Sequence, residues 1–353
     1  MMPRTPLVGV VMLLPCALFA IIFALNATWI FLVAALLVGL ASICSPAAES
    51  LQGKVVLVTG GSSGIGLAIA SIAAKRGARV CIAARNRARL DAARDSIINA
   101  TSPPIAEDMV STMQVDLTAA SDAVEAAFNA NELVSKGLVD YAVLSAGDSS
   151  PATFEDISPA DWDRLYRLNV LGCVLATRAV LPGMKRRRCG RVVLISSMAG
   201  RVGIYGFTAY SATKFALRGF ADALRMELRP FSVGVTTVLP PDTDTPLLER
   251  ENVSKPVECK RISEGSGLFS SEAVAQKTVD AMSRGSGVVT FGLDGWMLSH
   301  LTVGMDPIDH WPRAMSGLFL WPVLRLVAVA YTAYYDHICL QEHRRRELHR
   351  LNP

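Results

Sequence analysis

Val55-Val56-Leu57-Val58-Thr59-Gly60-Gly61-Ser62-Ser63-Gly64-Ile65-Gly66 decides the architecture of this 353-residue chain. An apolar, valine-rich run closes on glycines and hydroxyls. That order describes a strand, a tight turn and a helix whose first N–H groups can bind phosphate. Gly60 lets the strand turn, Gly64 lets backbone approach a pyrophosphate, and Gly66 lets the helix pack close to the sheet. Ser62 and Ser63 add hydroxyl donors, and Ile65 completes the cradle. The spacing is Gly-x-x-x-Gly-x-Gly, not the Gly-x-Gly-x-x-Gly of the other dinucleotide-binding pattern. The competing reading is a flexible turn before a helix.

Outward from this stretch, β-rich runs alternate with longer amphipathic segments from Gly53 to about Leu293, as parallel strands joined by crossover helices require. The strands are expected at Val55–Thr59, Arg79–Ala83, Thr112–Val115, Tyr141–Leu144, Arg191–Ser196, Gly234–Leu239 and Val288–Phe291. Near-continuous Val, Ile and Leu fit strands buried on both faces. The fold class is therefore α/β, a doubly wound, seven-stranded parallel sheet of the Rossmann type, with its ligand crevice outside the carboxyl ends of the strands. From Thr245 to Ser271 the rhythm breaks, which reads as a lid or binding loop.

The second strand ends in Ala83-Ala84-Arg85-Asn86, with Arg87 and Arg89 following, where an acidic residue would favour NAD. A guanidinium at Arg85 suits the 2′-phosphate of NADPH, although an ordinary helix-start charge is the bland reading. Asp116, with Leu117 beside it, either meets the adenine amino group or caps the next helix. At the reacting end stands Tyr210-Ser211-Ala212-Thr213-Lys214. Hydride transfer to a ketone needs a proton for its oxygen, and a phenol of ordinary pKa about 10 exchanges one slowly at neutral pH. Lys214, one turn later on the same helical face, can lower that pKa and hold the nicotinamide ribose. Ser197 or its neighbour Ser196 should hydrogen-bond the substrate oxygen. The thirteen-residue spacing to Tyr210 and the Ser-x-x-Gly pattern through Gly200 favour Ser197. Asn169 can hold a water that resupplies protons through Lys214.

Between Arg4 and Glu49 no residue is charged. The stretch exceeds the roughly 20 residues of one membrane span and the about 7–15 of a signal-peptide core. It is expected to be a membrane anchor, crossing once or as a hairpin. A second apolar segment, Leu318–Tyr335, is interrupted by Pro322 and Arg325 and reads as an interfacial helix. The basic tail beyond His343 is either a solvated end or an attractor of anionic lipid. Three divisions follow: an anchor over 1–50, a catalytic domain over 51–300, and a membrane-associated segment over 301–353. Seven scattered cysteines suit a reducing compartment. No His/Cys/carboxylate spacing suggests a metal, and a net charge of +4 does not suggest nucleic acid.

With the glycine loop, Asn169, Ser197, Tyr210 and Lys214 in this order, the chain resembles the short-chain dehydrogenase/reductase family. The resemblance covers roughly Gly53 to Leu293. More narrowly it is similar to a membrane-bound branch, through Gly206–Ala212, Pro240–Pro246, Leu293–Ser299 and Leu301–Met305. The resemblance implies NADPH-dependent reduction of a long-chain 3-keto amino alcohol, 3-ketosphinganine, to sphinganine. It also implies an endoplasmic reticulum membrane enzyme facing the cytosol. Membrane lipid and a second copy of the chain are candidate partners. One departure is Leu144-Ser145-Ala146-Gly147, where the wider family has Asn-Asn-Ala-Gly; this puts local rigidity in doubt. The rivals are a retinoid or steroid dehydrogenase and a non-catalytic NADPH-binding scaffold.

Overall fold

A computed structural model describes residues 47–302 and 311–351. The anchor expected over residues 1–50 lies, but for its last four positions, outside the described residues. The chain divides into two units, residues 1–45 with 308–326 and residues 46–307 with 327–353. The described part of the first is the opening of a long helix; the second is an α/β body.

The strands are β1 (Val55–Thr59), β2 (Arg79–Ala84), β3 (Val110–Gln114), β4 (Tyr141–Leu144), β5 (Arg191–Ile195), β6 (Gly234–Leu239), β7 (Thr243–Asp244), β8 (Phe269–Ser270) and β9 (Val288–Thr290). Seven form one parallel sheet in the order β3-β2-β1-β4-β5-β6-β9, and β7 pairs with β8 apart from it. The helices, in chain order, are α1 (Gly64–Lys75), α2 (Arg87–Ile98), α3 (Ser121–Ala130), α4 (Glu132–Ser135), α5 (Pro159–Tyr166), α6 (Gly172–Arg187), α7 (Thr208–Leu228), α8 (Pro246–Ser254), α9 (Val257–Ser263), α10 (Ser271–Ser283), α11 (Gly292–Leu301) and α12 (Trp311–Leu351). The seven expected strands are all present. β3 begins two residues earlier than read, because Val110 pairs with Val80 and is buried with it.

Alternate residues of each strand feed two cores, one per sheet face. Val56, Val58 and Ile82 pack with Ile69 of α1 and Val279 of α10. Leu57, Leu144 and Leu194 pack with Phe128 of α3, Met184 of α6 and Leu217 of α7. Burying each such side chain contributes roughly 1.5–3 kcal/mol. This double burial is why the strands read as continuous apolar runs.

One expectation is corrected and another extended. The stretch 245–271, read as irregular, contains α8, α9 and β8. Thr245 caps α8 by accepting from the Leu248 N–H at 3.2 Å, with Pro246 at the first helical position. Helix propensity was masked there by charges that the fold turns inward, Glu251, Lys255 and Glu258 among them. The apolar segment 318–335 is part of α12, which runs on to Leu351. Beyond Tyr335, Ile338 and Glu342 are buried, and Glu342 takes an ion pair from Arg261 of α9 at 2.6 Å. No helix among the described residues is long and apolar enough to cross a membrane.

Candidate active site

β1, β4, β5 and β6 end along one edge of the sheet, where a cleft of about 240 Å³ opens. Its lining includes Gly60, Ser62, Ser63, Gly64, Ile65 and Gly66 from the loop after β1. Ser197, Tyr210 and Lys214 line it as well.

The loop fits a dinucleotide's phosphates. Ser63 stands at the N-cap of α1 in extended conformation, yet its side chain caps no N–H, and the first turn carries no acid. The helix start thus presents uncapped amides beside two hydroxyls, the donor set a phosphate needs. A Cβ on Gly66 would lie 2.4 Å from the Gly60 carbonyl oxygen, so only glycine lets helix and turn approach. The missing asparagine after β4 is compensated by Thr59. It is buried, and its Oγ1 accepts from the Ala146 N–H at 3.3 Å, tying the ends of β1 and β4 together.

Arg85 and Arg89 are exposed beyond the end of β2, outside the cleft lining. The Val115 N–H donates to the Ala84 carbonyl at 3.0 Å, which sets Arg85 near Asp116. The Asp116 carboxylate accepts from the Thr118 hydroxyl at 2.7 Å and amide at 2.9 Å. Those bonds, and after them the Arg85 charge, hold its carboxyl below the ordinary range. Asp116 therefore shapes a local turn instead of capping α3. Leu117 is buried in the core, so its side chain is a packing group.

Both serines line the cleft but differ in burial and in their hydrogen bonds. Ser196 is buried, and its Oγ donates to the Lys214 carbonyl at 3.2 Å, fastening β5 to α7. Ser197 is only half-buried, accepts from the Ala199 N–H at 3.1 Å and lines the cleft together with Tyr210. Gly200 explains the Ser-x-x-Gly spacing, since a Cβ there would meet the Lys214 carbonyl oxygen at 2.8 Å.

Lys214 behaves differently from what its spacing suggests. Its Nζ donates to the Ile195 carbonyl at 3.0 Å and lies 5.4 Å from the Tyr210 ring centre. Burial pushes this ammonium down to about 8. Burial likewise holds the Tyr210 phenol above its ordinary value, with the Glu251 carboxylate next in effect and the Ser197 hydrogen bond opposing. The expectation of a phenol made acidic by Lys214 is thus corrected: desolvation dominates both groups. The phenol keeps its proton, which is the form that can donate one.

Asn169 lies in a π-helical turn, Arg167–Leu171, and is fully buried. Such turns often mark functional sites. Its Nδ2 donates to the Asp148 carbonyl at 2.9 Å and to Thr213 Oγ1 at 3.0 Å, while Oδ1 accepts from the Asp148 N–H at 2.9 Å. It braces the loop after β4 against α7 and does not line the cleft. The sequence reading missed Asp242 and Glu251, which do line it. The Thr245-Pro246 helix start was the available signal for Glu251.

A family model described as short chain dehydrogenase matches residues 54–255. The chain belongs to the short-chain dehydrogenase family. A 3-dehydrosphinganine reductase of Danio rerio is 38% identical over 328 residues, 93% of this chain and 95% of that one. A 3-ketodihydrosphingosine reductase of Mus musculus is 40% identical over 302 residues, 84% of this chain and 88% of that one. Among solved structures, a short-chain dehydrogenase from Sphingobium yanoikuyae in complex with NADPH matches with a TM-score of 0.57 and 26% identity, over 67% of this chain and 87% of that one.

Proposed function

We propose that this short-chain dehydrogenase reduces 3-ketosphinganine to sphinganine with NADPH. The observation that carries the reading is the Ser197–Tyr210 pair in a cleft that also has an apolar lining of Leu247, Leu248, Ile262, Leu298 and Tyr335. The likeness to reductases named for this ketone supports it over nearly the whole chain.

The amides of Gly64 to Gly66, with Ser62 and Ser63, would hold the cofactor's phosphates, and Arg85 with Arg89 its 2′-phosphate. Bound there, NADPH supplies a hydride. Tyr210 gives its proton to the ketone oxygen as charge develops on it, and Ser197 shares that oxygen by hydrogen bond. Lys214 keeps a cationic or neutral amine beside Tyr210 according to pH, and Asn169 holds the backbone that positions both. A scaffold that merely binds NADPH has no use for a protonated phenol fronting its cleft.

A ketone with a long hydrocarbon tail resides in a bilayer, because each buried methylene gains about 0.8 kcal/mol. The proposal therefore includes an endoplasmic reticulum membrane location with the catalytic domain on the cytosolic side. The charge-free N-terminal stretch and the basic tail support this. Residues 301–353 are proposed as a membrane-associated segment. Trp321, Val323, Leu326 and Val329 are exposed on α12, as a helix lying on lipid requires.

The test is NADPH oxidation by purified enzyme offered 3-ketosphinganine, retinal and a steroid ketone. Turnover confined to 3-ketosphinganine is expected. Preference for retinal or the steroid would replace the substrate, and cofactor binding without any turnover would favour the scaffold.

A further inference from the structure

We propose that Glu251, with Asp242, forms the subsite that binds the substrate's ammonium group, and so selects amino ketones over neutral ones. The assignment rests on the substrate proposed above, whose amine is on the carbon next to the ketone. Whatever holds that ketone at Tyr210 must meet a cation one bond further along.

Glu251 is 8% exposed, on α8, and fronts the same cleft as Tyr210 and Ser197. One of its carboxylate oxygens accepts a short hydrogen bond from the Ser149 hydroxyl. The other lies 3.7 Å from Lys255 Nζ, which sits closer to Asp242, at 3.1 Å. Lys255 does not line the cleft, whereas both carboxylates do. Two acids thus share one ammonium placed behind them. Asp148, a third acid in the lining, has cations of its own in Arg164 at 2.7 Å and Arg250 at 3.5 Å. The pair of Glu251 and Asp242 is left one positive charge short.

A buried carboxylate that lacks full pairing is costly. Here it is doubly unfavourable, because negative charge beside Tyr210 opposes build-up of more negative charge on the reacting oxygen. An incoming ammonium removes both penalties at once. Its own positive charge stands next to the ketone oxygen, where it favours the developing alkoxide. A neutral ketone of the same length leaves the acids as they are.

The experiment compares kcat/KM of the full-length enzyme for 3-ketosphinganine and for the same-length 1-hydroxy-3-ketone lacking the 2-amino group. The wild-type enzyme is expected to favour the amino ketone by about 10- to 100-fold, the usual range for a charged hydrogen bond. In Glu251→Gln this ratio should fall towards one, mostly through KM, while NADPH affinity stays within about threefold. Glu251→Asp, which keeps the charge facing Lys255 but draws it back by a methylene, should lower the ratio partway. A wild-type ratio near one overturns the assignment even if neither variant folds. A ratio unchanged in folded Glu251→Gln overturns it as well. Absence of turnover with both ketones overturns the substrate reading, and the subsite with it.

Discussion

Where the cleft is built from residues 60–66, its working groups are backbone amides, held by glycines and a helix start. Where it is built from residues 240–263, they are side chains carried on two short helices, α8 and α9. The first wall meets a ligand that is the same in every turnover, so geometry of the main chain suffices. The second must tell one carbonyl compound from another, and it does so with buried charge and apolar surface. Tyr210 and Ser197 stand where both walls contribute, which makes them the natural place to separate the two.

Tyr210→Phe removes the proton and leaves the amide wall untouched. Turnover should fall by about 10³-fold or more, with NADPH affinity by fluorescence titration changed less than threefold. Comparable loss of both would break the division. Next in size, Ser197→Ala should lower kcat by roughly 10²-fold. Its neighbour Ser196→Ala should leave kcat within about threefold and cost about 1 kcal/mol in urea denaturation. Arg85→Ala tests the cofactor side beyond the amide wall: kcat/KM for NADPH should fall about 10- to 100-fold while that for NADH changes less than twofold. Equal losses with both cofactors would remove Arg85 from the 2′-phosphate site.

The smallest effect concerns Lys214, whose folded pKa of about 8 lies below its unfolded value of about 10.4. Below pH 8 both states carry the proton, and the burial cost is constant. Between pH 8 and 10 the unfolded chain binds more protons, so stability rises with pH. Measured against Lys214→Met without cofactor, the wild type should gain about 1.5 kcal/mol between pH 8 and 9.5. A flat difference would contradict the burial of the ammonium.

Much of this was legible beforehand. Val55–Thr59, Tyr141–Leu144 and Gly234–Leu239 begin and end where they were read, because strands buried on both faces show as nearly unbroken apolar or β-branched runs. The glycine loop was equally plain, since main-chain approach and helix-start amides are local properties. Ser196 and Ser197 were not separable by spacing alone. Both line the cleft, and only the folded chain shows that the Ser196 hydroxyl is spent on the Lys214 carbonyl while Ser197 stays more open. The helices of 245–271 were missed because their charged residues point inward, which inverts the usual pattern of amphipathicity.

The chain's own order of residues therefore determined the sheet, the phosphate loop and the identity of the Ser197/Tyr210/Lys214 set. Each depends on neighbours in sequence or on a single periodicity. Tertiary structure alone decided the protonation balance. Burial, which no spacing reports, raises the Tyr210 phenol and lowers the Lys214 ammonium, and Glu251 adds to the first from a helix far along the chain. Desolvation and long-range charge are sums over the whole fold, so they exist only once the fold does.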